Sequence, residues 1–260
     1  MIWKMKLNKF ISICLVFISL LPTVVFADQN AKIAFAKGNS LYAKGNYKDA
    51  LAVYKRINED GYQSATLFFN MGNAYYKLGD LAYALLFYEK AHKLAPGDDD
   101  INFNIKFANS KISDKIEETP EFFLSNWMKK IILGWPIDLL SIVNVLLIFI
   151  ASVLMVIYLF ANTILIKKTT FFVGLSFYIL GFIFIFISNR QTEYLESHRQ
   201  GIIFSGAVSV KNAPIESSGT LLILHDGTKV NIIGNLNGWM KIMLANGNQG
   251  WVKINDVKEI

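Results

Sequence analysis

Two uninterrupted apolar runs, residues 139–166 and 169–188, constrain this chain more than any other feature. Neither contains Asp, Glu, Lys, Arg or His. Each offers about 20 apolar residues, roughly 30 Å of helix, which matches the hydrocarbon thickness of a bilayer. Asn144, Ser152, Asn162, Ser176 and Ser188 are the polar exceptions. A proton or ion path would need buried acids or histidines, so transport is not expected. Only Lys167-Lys168 separates the runs, which predicts an antiparallel hairpin with spans over 137–166 and 169–189. Pro136 suits the start of the first helix, and Gly174 and Gly181 allow a second helix to come close. A third apolar run, residues 10–27, follows Lys4, Lys6 and Lys9 and ends at Val25-Phe26-Ala27. That pattern reads as a signal peptide over 1–27, with an uncleaved N-terminal anchor as the alternative. Cys14 is the only cysteine and lies inside it, so a chain starting at Asp28 has no thiol, disulfide or Cys-based metal site. The 53% hydrophobic content and the mean hydropathy of +0.36 reflect these three runs. Beyond residue 27 the chain has 23 basic and 20 acidic residues, a balance that gives no reason to expect a nucleic-acid partner.

Residues 31–64 and 65–98 align with a period of 34. Ala34 to Tyr42 overlays Phe68 to Tyr76, and Gly45 to Ala50 overlays Gly79 to Ala84. Tyr54 overlays Tyr88, Ile57 overlays Ala91, and the second copy closes with Pro96-Gly97. This period and its small and aromatic positions resemble the tetratricopeptide repeat. Gly38, Gly72, Ala50 and Ala84 are small where paired helices cross, while Tyr54 and Tyr88 fill the wider gaps. Gly45 and Gly79 end the first helix of each pair. Asp98-Asp99-Asp100 places negative charge at the start of a fifth helix, whose apolar stripe is Ile101, Ile105, Ala108 and Ile112. That helix, 99–115, is expected to cap a repeat domain spanning 28–116. The alternation Asp98, Asp100, Asn102, Asn104 is no calcium loop, because Phe103 and Asn109 stand where an EF-hand needs Gly and Glu. Repeats of this kind form a concave groove. Its candidate lining is Phe35, Asn39, Tyr42, Phe69, Asn70, Asn73 and Tyr76, against the alternative that the aromatics are simply core. Asn39 and Asn70 fall where some such domains clamp a peptide carboxylate, but Phe35, Asp100 and Asn104 replace the basic partners. Two uncharged amides hold a carboxylate poorly, so an apolar peptide or helix is the expected ligand.

Residues 117–135 place Phe123, Trp127 and Ile131 on one helical face, widened by Leu124, Met128 and Ile132. This fits an amphipathic helix at the bilayer surface or, alternatively, a short helix packed on the repeats. Residues 190–202 are expected to continue the second span as a linker helix. From 203 to 260 the pattern turns to strands: Val208 and Val210 alternate, and Leu221–Leu224 and Lys229–Ile233 follow. Asp226-Gly227, Asn237-Gly238 and Asn246-Gly247 mark turns. The stretches Val210 to Pro214, His225 to Val230 and Gly238 to Val252 resemble the bacterial SH3 domain, which implies a small twisted β-barrel. Trp239 and Trp251 are the candidate ligand surface, against the alternative of packing within the barrel.

The order of parts, a signal, two repeats, two spans and a terminal SH3-like domain, resembles the BatE family of the Bacteroides aerotolerance operon. The resemblance runs from about Ala31 to Glu259 and is strongest over Asn70 to Asp80 and Trp239 to Val252. It implies partners among membrane proteins with von Willebrand A domains and a MoxR-type ATPase, in bacteria of the Bacteroidota, with a role in oxygen or stress tolerance.

The expected fold is thus a multi-domain membrane protein: all-α repeat hairpins, a two-helix transmembrane hairpin and an all-β SH3-like barrel. Export by the signal, with an even number of spans, puts both soluble parts on the periplasmic side of the cytoplasmic membrane, and Lys167-Lys168 inside the cell. No enzyme is expected. His92, His198 and His225 are the only histidines, and no nucleophile–base pair, Gly-rich phosphate loop or H-E-x-x-H run accompanies them. No cofactor, metal or small-molecule substrate is implied. The expected function is a membrane-anchored protein-binding scaffold, with peptidoglycan binding through the SH3-like domain as the alternative.

Overall fold

The computed structural model describes residues 29–116, 127 and 132–260. The expected signal segment, with Cys14, and most of segment 117–135 lie outside the described residues. The described chain falls into two compact units, residues 142–184 and residues 30–141 together with 185–260.

The larger unit opens with α1 (Gln29–Ala43), α2 (Tyr47–Glu59), α3 (Ala65–Lys77) and α4 (Leu81–Leu94), followed by α5 (Asp99–Asn109). The two hairpins repeat each other down to single bonds. Gly45 and Gly79 take φ of +81° and +83°, which only a residue without a Cβ adopts cheaply. The next amide then reaches back to close the helix end, Asn46 to the Leu41 carbonyl and Asp80 to the Tyr75 carbonyl, each at 3.0 Å. Helix starts are set by side chains: Ser64, Asp80 and Asp98 accept from the amides of Leu67, Tyr83 and Ile101, each at 3.1 Å. Within each hairpin a glycine lies under a tyrosine ring. A Cβ on Gly38 would stand 2.5 Å from Tyr54 Cε1, and one on Gly72 2.5 Å from Tyr88 Cδ1. Ala50 and Ala84 are fully buried at the same crossings. α5 ends at Asn109, short of the 99–115 expected, and residues 110–116 run on without helix. Their Asp114 is engaged elsewhere, as described below.

Seven strands complete this unit: β1 (Gln200–Ile203), β2 (Val208–Lys211), β3 (Thr220–Leu224), β4 (Lys229–Leu236), β5 (Trp239–Met243), β6 (Gln249–Lys253) and β7 (Val257–Glu259). They form one antiparallel sheet in the order β3-β2-β6-β5-β4-β1-β7. The order does not close on itself, so β3 and β7 are edges. Gly227, Gly238 and Gly247 sit in the turns that the sequence marks, each with positive φ. Alternation is strict on β5 and β6: Met240, Ile242 and Val252 face the core, and their neighbours face out. β1 begins at Gln200, inside the segment expected to be linker helix, because the preceding helix stops at Ser197.

The smaller unit is built from α6 (Ile137–Phe160) and α7 (Ile164–Ser197), which extend into the larger one. Leu139–Phe160 and Ile164–Tyr194 are long and apolar enough to cross a membrane. The break between them lies at residues 161–163, not at Lys167-Lys168. Asn162 and Thr163 favour a turn there, and the Lys167 amide bonds the Thr163 carbonyl at 3.0 Å in the first turn of α7. Both lysines therefore belong to α7. Gly174 and Gly181 face α6: a Cβ on Gly181 would lie 3.1 Å from Ile148 Cγ1, and one on Gly174 3.4 Å from the Ala151 carbonyl oxygen. Ser152 and Tyr178 share a hydrogen bond of 2.9 Å across the pair.

Candidate protein-binding site

The first helix of each hairpin carries the candidate residues: Phe35, Asn39 and Tyr42 on α1, and Phe69, Asn70, Asn73 and Tyr76 on α3. Asn39 Oδ1 accepts from the Tyr54 hydroxyl at 2.8 Å and from Asn70 Nδ2 at 3.0 Å. One repeat later Asn73 Oδ1 accepts from the Tyr88 hydroxyl at 2.8 Å and from Asn104 Nδ2 at 2.9 Å. The four asparagines thus tie α1 to α3 and α3 to α5 by the same bonds. Burial pushes the Tyr54 phenol up to about 12, with Tyr42 adding a smaller push, and burial also raises Tyr88. Both phenols stay protonated and keep donating at any physiological pH. Both acceptor oxygens are committed to the scaffold, and among the described residues no hydrogen bond occupies the Nδ2 groups of Asn39 and Asn73. What these two asparagines offer a ligand is donors, suited to peptide carbonyls.

Phe35 and Phe69 are half-buried and pack on Tyr54 and Tyr88, each at 5.9 Å between ring centres. Tyr42 and Tyr76 are also half-buried and flank the core without joining it. Tyr42 meets Tyr47, and Tyr76 meets Phe107 of α5 at 5.7 Å. Phe103 and Phe107 stack in parallel at 6.2 Å and stay 66% and 42% exposed. The sequence reading missed this pair, having taken only the opposite stripe of α5. The 34-residue period carried the signal: Phe35, Phe69 and Phe103 occupy one repeat position.

Trp239 and Trp251 lie on the outer face of the sheet. Trp239 pairs with Lys253, and Trp251 with Lys241 on one side and Lys211 on the other. The inward neighbours Met240 and Val252 fill the core, so neither indole does. Glu216 binds Lys253, whereas Lys241 stands beside Trp251 with no acid across the strand pair.

Sequence reasoning also missed the joint between helices and sheet. Asp114 follows Asp80 by 34 residues, at the position where Asp80 caps the second helix of the second repeat. Residues 115 and 116, the described residues that follow it, are not helical. Its carboxylate instead takes the His225 amide at 2.7 Å and the Thr228 hydroxyl at 2.6 Å on Oδ2, and His225 Nδ1 at 2.7 Å on Oδ1. Burial alone would raise this carboxyl, but the bonds from Thr228 and His225 outweigh it and hold the pKa below the usual value. On α4, Glu89 is 5% exposed and meets Lys229 Nζ at 2.7 Å. Ile202 of β1 is fully buried in the helical core, with Phe204 and Ile260 packed beside it. Phe204 meets Tyr83 edge-on at 4.6 Å, and a Cβ on Gly227 would strike Ile112 at 2.7 Å. The sheet thereby covers the face of α4, and meets the segment after α5, where a further hairpin would otherwise pack. Burial lowers the pKa of His92 in the last turn of α4, so the ring is neutral and donates no charge to the helix end.

Among the described residues no three His, Cys, Asp or Glu side chains gather as metal ligands. The tetratricopeptide repeat family profile matches residues 65–98, the second of the two hairpins. No curated protein matches the chain. A repeat of this family points to protein–protein interaction, and the hairpin of residues 31–64 reproduces its glycine–tyrosine crossing and its asparagine bond.

Proposed function

We propose that this chain is a non-enzymatic, membrane-anchored scaffold that holds partner proteins in the groove of two tetratricopeptide repeats, residues 31–64 and 65–98. The aromatic and amide surface running from α1 through α3 to α5 carries this reading. It combines half-buried rings with donor amides and lacks the cations of a carboxylate clamp, so an apolar peptide or helix fits it best. The two apolar helices favour anchoring in the cytoplasmic membrane, and the signal pattern favours a periplasmic site for both soluble parts. The sheet is read as an SH3-like domain, and the whole as a BatE-like component of a complex with von Willebrand A membrane proteins in oxygen or stress tolerance. A photo-crosslinking residue at position 76, in intact cells, should capture a discrete membrane protein. Asn70→Ala with Phe69→Ala should abolish that capture while the chain stays folded. Capture that survives this double change sinks the groove reading.

A second reading is favoured by the outward pairing of Trp251 with Lys241 and Lys211 and of Trp239 with Lys253. Indole faces stack on sugar rings, and ammonium groups suit the carboxylates of peptidoglycan stems. The detergent-solubilised full chain should then co-sediment with purified sacculi at low salt. Trp251→Ala should release it. A chain left in the supernatant removes this reading.

A further inference from the structure

The sheet's two edges are treated differently. β7 is covered by the helices: the Lys258 ammonium lies over the rings of Tyr83 and Phe204 at 4.2 and 4.6 Å, and the Ile260 carbonyl accepts from Lys93 at 3.3 Å. Among the described residues nothing comparable covers β3. Its sequence, Thr220-Leu221-Leu222-Ile223-Leu224, has no charge, no Pro and no Gly. Leu221 is 49% and Ile223 54% exposed, and Ile223 faces outward between the inward Leu222 and Leu224. Soluble proteins ordinarily blunt such an edge with charges, proline or bulges, because its free amides and carbonyls template another strand. β3 has one bulge, at Leu221, and beyond it Leu222, Ile223 and Leu224 pair regularly with Val210, Ser209 and Val208.

We propose that β3 is a pairing edge onto which β3 of a second copy of this chain adds, antiparallel, about Ile223. The strand is complementary to itself. Centred on Ile223, the pairing sets that residue beside its own copy and Leu222 against Leu224, so apolar meets apolar and no like charges oppose. The covered β7 edge stops growth at two copies, which gives a closed dimer and not a fibre. Three residue pairs are too small an interface to hold a dimer in free solution. The inference therefore rests on the anchored reading above, in which copies share one side of one bilayer and meet at high effective concentration.

The test uses the full chain with Cys14→Ala, reconstituted in liposomes and carrying either Ile223→Cys or Ser209→Cys. Ser209 pairs with Ile223 one strand further in and is also exposed, so it reports random collision. Oxidation should yield a disulfide-linked dimer several-fold more efficiently at 223 than at 209. Energy transfer between separately labelled copies should fall to the background level with Ile223→Lys. Equal crosslinking at the two sites, or none, overturns the dimer, as does capture at 223 of a different protein alone in native membranes. Carbonate extraction separates the two ideas. A chain released from the membrane sinks the anchored reading and the dimer with it, whereas an inserted chain without selective crosslinking sinks the dimer only.

Discussion

Single residues decide how closely the helices of this protein can approach. Gly72 is helical, so alanine would normally favour it by up to about 1 kcal/mol. Here the added methyl would stand 2.5 Å from the Tyr88 ring, and that ring cannot retreat, because its hydroxyl is bonded to Asn73. Gly72→Ala is therefore expected to destabilise the helical part by about 1–3 kcal/mol, the usual cost of overpacking. Chemical denaturation followed by circular dichroism measures it, and unchanged or raised stability would refute the crossing. Asp114 sets a pH dependence. Its folded pKa lies below the unfolded value, so its contribution is complete above about pH 4 and is lost as pH falls through the lower folded value. Asp114→Asn should cost about 1–3 kcal/mol at neutral pH, as expected for hydrogen bonds to a charged group. The difference from the parent should stay constant from pH 7 to pH 5 and shrink only in stronger acid. Urea titrations across that range would show a different slope if the carboxylate were idle.

At the scale of elements, α4 explains why the larger unit holds together. One of its faces packs on α3 and α5, and the opposite face meets the sheet, so its burial is nearly continuous from Ala84 to Glu89. A buried carboxylate on such a helix is costly unless paired. Lys229→Met would strand Glu89 and is expected to cost up to about 3 kcal/mol, less than for a fully buried pair because Lys229 is one-third exposed. Adding Glu89→Gln should recover part of that loss, and a double-mutant cycle reads the coupling directly. Additive losses would mean the ion pair is incidental. β3 contrasts with α4: among the described residues it is held on one side only, and Leu221 and Ile223 stay exposed.

For the whole molecule, the sheet acts as the terminal cap of a short solenoid. Repeat arrays need a closing element because each hairpin leaves its last face apolar. α5 packs on part of that face, and Ile202, Phe204 and Ile260 join the same core. A chain truncated after Arg199 should therefore weaken a part of the protein that is distant in sequence. Amide exchange in α4 and α5 is expected to speed up markedly while α1 and α2 change little. Uniform protection along all five helices would refute the cap.

Local and periodic features were legible without a structure. The 34-residue repeat, the glycine turns, the helix starts at Ser64, Asp80 and Asp98, the apolar runs and the strand alternation all depend on neighbours within a few residues or on one fixed period. That is why equivalent positions of the two hairpins could be aligned in advance, with Phe103 and Phe107 the pair overlooked on the same period. The short α5, the turn at 161–163 and the open strand order depended on competition between local preference and distant partners. The joint was beyond reach for the same reason. Asp114 and His225 stand 111 positions apart, and Glu89 and Lys229 stand 140 apart. No spacing rule connects such residues. By itself the sequence determined two repeat hairpins, two membrane-length helices and a strand-rich end. Only the tertiary structure decided that the hairpins and the strands share a core, because burying Ile202 and pairing Glu89 require surfaces that do not exist until both parts have folded.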